Sequence, residues 1–329
     1  MGDVILTSPA IRLIRKRFPG CTIDFVVKKQ FSSLLSTHPF INSLLIFDKN
    51  KNGNPLKQLK RQIKRNNYDI IFDLHKNLRS YYLSTNSGAQ QIFRYKKFVL
   101  RRLLLVKFKI NLFKQPIPIY QRYLIALSHL GIIDDNQGLD LYLDENIKNN
   151  ISSFYADFFK SPGQQILGVA PGASFPTKRW TSAGFEQVIN HFLEQKNLLI
   201  ILFGNSEDRE LIKSLNIKVS PNILNVAGSM SIAETAALMN HCNVVLTNDT
   251  GLMHMAAALK KKIVAIFGST TRELGFFPVS GDSIVIENKN VRCRPCSHVG
   301  RKNCPKEHFK CMKEIQPAEI IKAISSFFV

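Results

Sequence analysis

With 329 residues, the chain is long enough for two domains, and its 45% hydrophobic and 21% charged residues exclude an intrinsically disordered protein. Lysine and arginine number 45 against 24 aspartate and glutamate, and this net charge of +21 predicts a polyanionic partner, either a nucleic acid or an anionic lipid surface. No apolar stretch approaches the roughly 18 residues of a membrane span, and the N-terminus lacks the pattern of a secretion signal, so we expect a cytoplasmic protein.

Strands and helices alternate through the first 80 residues. Apolar periodicity and turn residues predict helices at 11–18, 31–36 and 56–65 and strands at 22–27, 43–47 and 68–74. This alternation is typical of parallel βαβ units, in which helices cover both faces of a sheet.

The segment from about residue 80 to 150 is less regular, with one helix predicted from Gln121 to Leu130 and ended by Gly131. Two stretches carry much of the positive charge, at 57–65 and 95–109. The first is expected to be a solvated helix face. The second interleaves its cations with Phe and Leu, a pattern that suits a membrane surface as well as it suits a solvated face.

The alternation restarts near residue 166. Strands are predicted at 166–170, 198–203, 243–247 and 262–267, and helices at 182–194, 231–240 and 251–259. We therefore expect a first domain at 1–155, a second at 156–316, and a C-terminal helix at 317–329 that packs back on the first domain.

In open α/β sheets, ligands bind beyond the carboxyl ends of the strands, so the loops there are the candidate sites. In one of them, a strand runs through Asp249 and Thr250 into a helix that begins at Gly251, with His254 one turn further on. A helix start of this kind favours a phosphate. The alternative is that Asp249 only caps the helix.

Three further loops carry polar residues. In 171–180, a glycine turn precedes Ser174 and Lys178, whose charge suits a diphosphate, and ends at Trp180, which is expected to be a packing anchor. In 203–208, Glu207 suits ribose hydroxyls, with a plain helix cap at Ser206 as the alternative. In 228–231, Ser231 is predicted to cap a helix, which leaves Met230 free to lie against a flat ring.

The order of these motifs resembles the ADP-heptose:lipopolysaccharide heptosyltransferases, glycosyltransferase family 9. The motifs are Pro-Gly…Lys-Arg-Trp, Phe-Gly…Glu, Gly-Ser-Met-Ser, Asn-Asp-Thr-Gly-Leu-Met-His and Ile-Phe-Gly-Ser-Thr. The resemblance covers residues 1–80 and 166–311 and is poorest at 85–120. It implies the GT-B fold, in which two Rossmann-like doubly wound domains face each other across a cleft.

The resemblance also implies a reaction: transfer of heptose from ADP-heptose to the Kdo/heptose inner core of lipopolysaccharide, with inversion, without a metal and with no cofactor. Asp3 would be the base that accepts the proton of the acceptor hydroxyl. Lys178 and the amides of Thr250 and Gly251 would hold the departing diphosphate in place of a divalent cation.

The remaining site residues follow from the same resemblance. His254 and Ser174 would add hydrogen bonds to the donor, Glu207 would contact the ribose and Met230 the adenine, and Asp249 would orient the helix turn or contact the sugar. Lys76 and Arg79 are candidate contacts for a phosphorylated Kdo-lipid A or core acceptor, and a solvated role is equally consistent with them. The enzyme would work on the cytoplasmic, anionic face of the inner membrane.

The N-terminus departs from the family pattern. Family members carry an apolar strand before Ile-Gly-Asp, whereas this chain has Met1 at the position of that Ile. We expect a start codon assigned too late or a truncated product, and a sheet divided in two, because the first strand of a doubly wound sheet is central.

Four of the six cysteines cluster, at Cys293, Cys296, Cys304 and Cys311, with histidines between them. Reduced, buried thiols are the first expectation, a structural zinc the second and disulfides the last. Cys21 and Cys242 are expected in the core.

Three other functions remain open at this stage. They are a transferase of the same fold with another nucleotide sugar, a catalytically impaired lipid-binding relative, and a nucleic-acid-binding protein. The last rests on charge alone, because no recognition motif is present, and we expect no nucleic-acid partner.

Overall fold

The computed structural model describes residues 1–159 and 163–328. Residues 160–162 and 329, which belong to the predicted second domain and C-terminal helix, lie outside the described residues. The chain divides into two compact units. The first comprises Met1, Asp3–Phe98 and Ile117–Tyr142, and the second comprises Gly2, Val99–Pro116 and the described residues from Leu143 onward.

The N-terminal part of the chain forms short strands between helices. Its elements are α1 (Gly2–Ile5), α2 (Ser8–Arg17), β1 (Asp24–Lys28), a 3-10 helix (Lys29–Leu34), β2 (Ser43–Phe47), α3 (Pro55–Asn66), β3 (Ile70–Asp73), α4 (Leu78–Ser84), β4 (Gln91–Arg94), α5 (Val99–Leu103), a π-helix (Leu104–Phe108), α6 (Ile119–Ile125) and a 3-10 helix (Ser128–Leu130). Within the first unit, β1 pairs with β2 and β3 with β4, both in parallel, as two separate sheets. The sequence predicted this division into two.

Helix α3 shows how the sequence sets a local element. The Asn54 side chain accepts a hydrogen bond from the Lys57 amide, and Pro55 occupies the first turn, where its missing N–H costs nothing. Leu59 and Ile63, four residues apart, pack with Leu45 of β2 and other apolar side chains. The basic side chains of α3 are left on its outer face, as expected for the 57–65 stretch.

A buried arginine holds α2 to the loop that follows α6. Arg12 is only 8% exposed, and its guanidinium forms ion pairs with Asp135 and Asp140 and donates to the Gly138 carbonyl. Hydrogen bonds from Arg12 hold the pKa of Asp135 below its usual value.

The second unit contains one six-stranded parallel sheet. Its elements from residue 145 are α7 (Glu145–Phe154), β5 (Gln165–Ala170), a 3-10 helix (Pro176–Lys178), α8 (Ser182–Leu193), β6 (Leu198–Leu202), α9 (Ser206–Lys213), β7 (Ile223–Asn225), α10 (Ile232–Met239), β8 (Val244–Asn248), α11 (Gly251–Ala258), β9 (Lys262–Phe267), a 3-10 helix (Arg272–Leu274), β10 (Ser283–Glu287), α12 (Lys310–Lys313) and α13 (Pro317–Ser325). The strand order is β10-β9-β8-β5-β6-β7. The four inner strands are fully or almost fully buried, as in sheets with helices on both faces.

Two parts of the predicted domain organisation differ from the structure. Helix α13 packs on α8 and on strands β9 and β10, because Ile320 and Ile324 form an apolar stripe that joins the core of the second unit, so this helix is part of that unit. Helix α7 packs on α10, and its Ser152 contacts His241, so the C-terminal part of the second unit begins at Leu143 rather than near residue 156.

His38 makes the stability of the first unit dependent on pH. Its side chain is buried between Phe40 and Tyr142, and burial lowers its pKa to about 4 from 6.5. Because the unfolded chain binds this proton near pH 6.5 and the folded chain does not, the free energy of unfolding should fall by about 3 kcal/mol between pH 7 and pH 4 from this group alone. Urea unfolding followed by circular dichroism at both pH values measures this loss.

The variant His38→Phe should show a smaller loss of stability on acidification than the wild type. His191→Phe, which replaces an exposed histidine of α8, is the matched control and should behave like the wild type. An identical pH dependence of wild type and His38→Phe would contradict the prediction.

Candidate active site

The sheet of the second unit brings the predicted loops to one edge. All six strands are parallel, so their carboxyl ends lie on the same side. Strands β8, β5, β6 and β7 are consecutive in the sheet, and each is followed by one of the four loops singled out in the sequence. The candidate site of the second unit is therefore built at the place where α/β sheets bind ligands.

Asn248, at the end of β8, holds both ends of the 171–180 loop. This residue is fully buried. Its amide donates to the carbonyls of Pro171 (2.8 Å) and Gly172 (3.2 Å), and its side-chain oxygen accepts from the Trp180 N–H (3.1 Å). The sequence predicted no role for Asn248, although it is a polar residue at the end of a buried strand.

Lys178 and Asp249, two of the predicted donor-site residues, are in direct contact. Lys178 Nζ lies 2.7 Å from Asp249 Oδ2, and their side chains are 14% and 4% exposed. Thr270, on the loop after β9, donates a hydrogen bond of 2.7 Å to the same carboxylate oxygen. The lysine charge is therefore held in place by a buried carboxylate, which is itself oriented by a buried hydroxyl.

The beginning of α11 presents amide donors that suit an anion. Thr250 is the N-cap residue and makes no side-chain capping hydrogen bond, and its hydroxyl lies 3.3 Å from that of Thr247. Asp249 contacts Lys178 and Thr270 through its carboxylate instead, so the alternative that Asp249 is the helix cap is wrong. The first amides of α11, from Gly251 onward, have no acceptor within the helix and carry its positive dipole end.

His254 lies in the first turns of α11 and is 3% exposed. Its ring centroid is 6.4 Å from that of Phe276, at a tilted angle. Its hydrogen bond to the donor remains a prediction.

Asn205 caps α9, so the predicted alternative of a cap at Ser206 is wrong by one residue. The Asn205 side chain accepts from the Asp208 N–H (2.9 Å), and the Asp208 carboxylate accepts from the Asn205 N–H (3.1 Å). A side chain at position 172 would overlap the Asp208 carboxylate, so Gly172 is required for this close approach. Glu207 takes no part in the cap and is exposed in the first turn of α9.

The cap at Ser231 is confirmed. Its hydroxyl accepts from the Glu234 N–H, and the Glu234 carboxylate accepts from the Ser231 N–H. Met230, just before the cap, is half-buried, and Ser174 is exposed. Among residues 1–159 and 163–328, no hydrogen bond or ion pair joins Ser174, Glu207 or Met230 to the Lys178–Asp249 pair.

Trp180 is a packing anchor, as predicted. It is 4% exposed, belongs to the core of the second unit and contacts Phe185 edge to face, with ring centroids 5.1 Å apart. It therefore fixes the end of the lysine-bearing loop through packing.

In the first unit, a buried aspartate shapes the loop that carries the predicted acceptor contacts. Asp73, at the end of β3, accepts hydrogen bonds from the N–H groups of His75 (3.2 Å) and Lys76 (2.6 Å). Lys76 is exposed with a left-handed φ of 46°. Arg79 is exposed in the first turn of α4. Both side chains are exposed to water. This exposure agrees both with a contact to the acceptor and with a purely solvated role.

Asp3 is exposed on α1, and its negative charge interacts with the side chain of His75. Burial lowers the pKa of His75, while the negative charge of Asp3 opposes that shift. Because His75 also lies on the loop of Lys76, with its Nδ1 3.3 Å from the Asn77 side-chain nitrogen, it joins the candidate residues of the first unit. Its position directly after a strand, next to Lys76, was the available sequence signal.

The clustered cysteines are free thiols, but only Cys296 and Cys311 are buried as predicted, whereas Cys293 and Cys304 are half-buried. Cys293 Sγ is 3.8 Å from His308 Nε2, and burial raises the pKa of Cys311 to about 12. In the part of the chain that the structure describes, no group of three or more His, Cys, Asp or Glu side chains is placed to hold a metal ion. Cys242 is buried as predicted, whereas Cys21 is only half-buried because it follows the surface turn at Pro19 and Gly20.

Comparison with known proteins identifies the family. Residues 56–307 match glycosyltransferase family 9 (heptosyltransferase). The lipooligosaccharide heptosyltransferase 2 of Campylobacter jejuni serotype O:2 is 28% identical over 341 residues, which cover 98% of this chain and 93% of that protein.

Solved structures share the fold. The family 9 glycosyl transferase of Veillonella parvula superposes with a TM-score of 0.80 at 25% identity, over 99% of this chain and 94% of that one. The ADP-heptose lipopolysaccharide heptosyltransferase II of Escherichia coli superposes with a TM-score of 0.74 at 21% identity, over 99% and 95% of the two chains. The fold is GT-B, as expected from the sequence.

A double-mutant cycle tests the Lys178–Asp249 pair. Because either single change leaves an unpaired charge in a mostly buried place, Asp249→Asn and Lys178→Met should each lower the free energy of unfolding by about 3 kcal/mol. The double variant should lose clearly less than the sum of the two losses. Urea unfolding of the four proteins measures the coupling, and additive losses would show that the pair does not interact.

Proposed function

Because the chain belongs to glycosyltransferase family 9, the family of the heptosyltransferases, we propose that it transfers heptose from ADP-heptose to the inner core of lipopolysaccharide. The chain is thus a glycosyltransferase enzyme. The acceptor is a phosphorylated lipid that carries Kdo or heptose. Relatives of this chain in Campylobacter and Escherichia bear the names of lipooligosaccharide and lipopolysaccharide heptosyltransferases.

The observation that carries this proposal is the buried Lys178–Asp249–Thr270 arrangement, which adjoins the first turn of α11 in the chain. A departing nucleotide diphosphate gains negative charge as its bond to the sugar breaks. The Lys178 ammonium and the amides of Thr250 and Gly251 are donors fixed in advance for that charge. These groups stabilise the negative charge of the diphosphate, which other transferases stabilise with a divalent cation.

The transfer is a single displacement with inversion at the anomeric carbon. An oxygen of the acceptor hydroxyl forms the new bond to that carbon while the bond to the diphosphate oxygen breaks. Asp3 accepts the hydroxyl proton, and ADP leaves with the electron pair. Asp249 keeps the lysine in position before the donor arrives, and Thr270 holds Asp249.

Residues on the neighbouring loops recognise the rest of the donor. The exposed Glu207 carboxylate accepts from ribose hydroxyls, and the half-buried Met230 packs against the adenine. Ser174 and His254 donate hydrogen bonds to the phosphates or the sugar.

The acceptor is bound by the first unit. Lys76 and Arg79 project into water next to a loop that Asp73 fixes, and two cations suit the phosphates and carboxylates of such a lipid. No helix in the described ranges is both long and apolar enough to cross a bilayer. We place the enzyme at the cytoplasmic face of the inner membrane, bound to its anionic surface.

Replacing Lys178 tests the site. Lys178→Ala should lower kcat by roughly 100-fold to 1,000-fold, because a contact made mainly with the departing phosphate is lost. ADP release with ADP-heptose and a Kdo-lipid acceptor is the measurement. Lys213→Ala, which removes an exposed lysine of α9, should keep wild-type turnover. Unchanged turnover of Lys178→Ala would remove this residue from the mechanism.

The donor and the independence from metal are tested with the wild type. Mass analysis of products from a panel of nucleotide sugars should show heptose transfer, and an excess of EDTA should leave the rate unchanged, because protein groups hold the diphosphate. A preferred donor other than ADP-heptose, or a loss of activity in EDTA that Mg²⁺ restores, would contradict these two statements separately. Vesicle binding without any transfer would instead favour an impaired lipid-binding relative.

A further inference from the structure

The stretch from Val99 to Lys114, called here the 99–114 segment, concentrates exposed apolar side chains. Sixteen large hydrophobic side chains are exposed among the described residues, and six of them lie in this segment. These are Val99, Leu100, Leu103, Phe108, Ile110 and Leu112, with exposed fractions between 43% and 67%. Single exposed apolar residues are ordinary, whereas such a concentration marks an interaction surface.

The 99–114 segment is held firmly on the second unit. Leu105 and Phe113 are buried. Lys109 Nζ donates to the carbonyls of Val106 (2.8 Å) and Pro295 (2.7 Å), and the Asn111 side chain accepts from the Phe113 N–H (2.9 Å). The apolar side chains are thus presented outward by a structured scaffold of α5, the π-helix and the turn after it.

Positive charge surrounds these apolar side chains. Residues 74–133 contain eleven lysines and arginines and no aspartate or glutamate. Within the 99–114 segment, the cations alternate with the apolar residues, and Lys107 and Lys114 are exposed. This pattern suits insertion between the headgroups and acyl chains of an anionic bilayer.

An open pocket adjoins the segment. Its volume is roughly 490 Å³, and Val106 and Phe108 line it together with the four cationic side chains of Lys107, Lys109, Arg301 and Lys306. Cationic side chains beside apolar ones match the phosphate and glycerol of a lipid headgroup. A second copy of the chain is a poor occupant, because the stretch that forms this surface, residues 74–133, is cationic and has no carboxylate of its own, so that two copies of it repel each other.

We propose that the 99–114 segment is the membrane-docking surface of the enzyme and that it binds anionic phospholipid. The proposal rests on the proposed function for its choice of a bilayer as partner. Phe108 and the leucines enter the interface between headgroups and acyl chains, and the lysines and the pocket bind phosphate headgroups.

Vesicle sedimentation with the full chain tests this surface. Wild type should bind vesicles of phosphatidylcholine with one quarter phosphatidylglycerol much more tightly than vesicles of phosphatidylcholine alone. Leu100→Ser/Leu103→Ser/Phe108→Ser should lower the partition coefficient at least ten-fold. Lys107→Gln/Lys114→Gln should lower it by about five-fold for each lysine removed.

Matched controls separate this surface from general properties of the chain. Ile133→Ser/Val219→Ser removes two apolar side chains that are 81% and 105% exposed elsewhere, and Lys57→Gln/Lys64→Gln removes two exposed charges of α3. Both controls should bind vesicles like the wild type. Equal losses in the controls and the segment variants would overturn the proposal.

Two further measurements guard against misfolding and against the wrong partner. Phe108→Trp should show a blue shift on vesicle binding and quenching by brominated lipid, because Trp180 is buried and contributes a constant background. No change in this emission would overturn the proposal. Tighter binding of the wild type to random duplex DNA than to anionic vesicles would also overturn it, if the segment variants lose that DNA binding.

Transfer to a delipidated, water-soluble core acceptor distinguishes the two proposals. The segment variants should keep wild-type turnover with it, which supports a docking role, and a specific loss of turnover in them would show that the segment belongs to the catalytic machinery instead. If the wild type transfers nothing while vesicle binding follows the expected pattern, the proposed function fails and the docking surface stands.

Discussion

The candidate site depends on keeping one lysine charge almost out of water. An ammonium ion in such a place is unfavourable without a partner, and Asp249 supplies that partner at 2.7 Å. Most of what surrounds it serves this geometry: Asn248 ties the lysine loop to the end of β8, Trp180 anchors the loop in the core, and Thr270 orients the carboxylate. A diphosphate that reaches Lys178 then meets a charge whose position has already been set, so little reorganisation is needed when the bond breaks.

Local sequence patterns predicted most helices and strands of the second unit, but they did not predict the contacts between its loops. Buried strands such as β6 and β8 are short apolar runs bounded by polar residues, and their parallel direction follows from the alternation with helices. The edge strands β7 and β10 were missed, because β7 has only three residues and both strands are partly exposed. The Asp249–Thr270 hydrogen bond joins residues 21 apart on different loops, and no spacing rule reports such a contact. The caps show the same limit: Ser231 was correctly predicted, but competition between Asn205 and Ser206 is decided by the backbone that Asp208 contacts.

The groups assigned to the donor and those assigned to anionic lipid differ in their charge. The second unit holds the groups assigned to the donor, and its central ion pair is electrically balanced. The cationic stretch from residue 74 to 133, which contributes to both units, contains no carboxylate, and it supplies both the loop of Lys76 and Arg79 and the 99–114 segment. A fold predicted from periodicity cannot distinguish these roles, since a lysine in water and a lysine that meets a phosphate have the same pattern. The exposed apolar neighbours of the 99–114 segment are what separate them.

The contact between Gly172 and Asp208 links two loops that otherwise belong to different strands. Any side chain at position 172 would displace the Asp208 carboxylate and with it the cap of α9, the helix whose first turn carries Glu207. A change in the phosphate loop would therefore be transmitted to the residue assigned to the ribose. Attempts to redesign the enzyme for a different nucleotide would have to alter both loops together, because a substitution at position 172 also changes the position of Asp208.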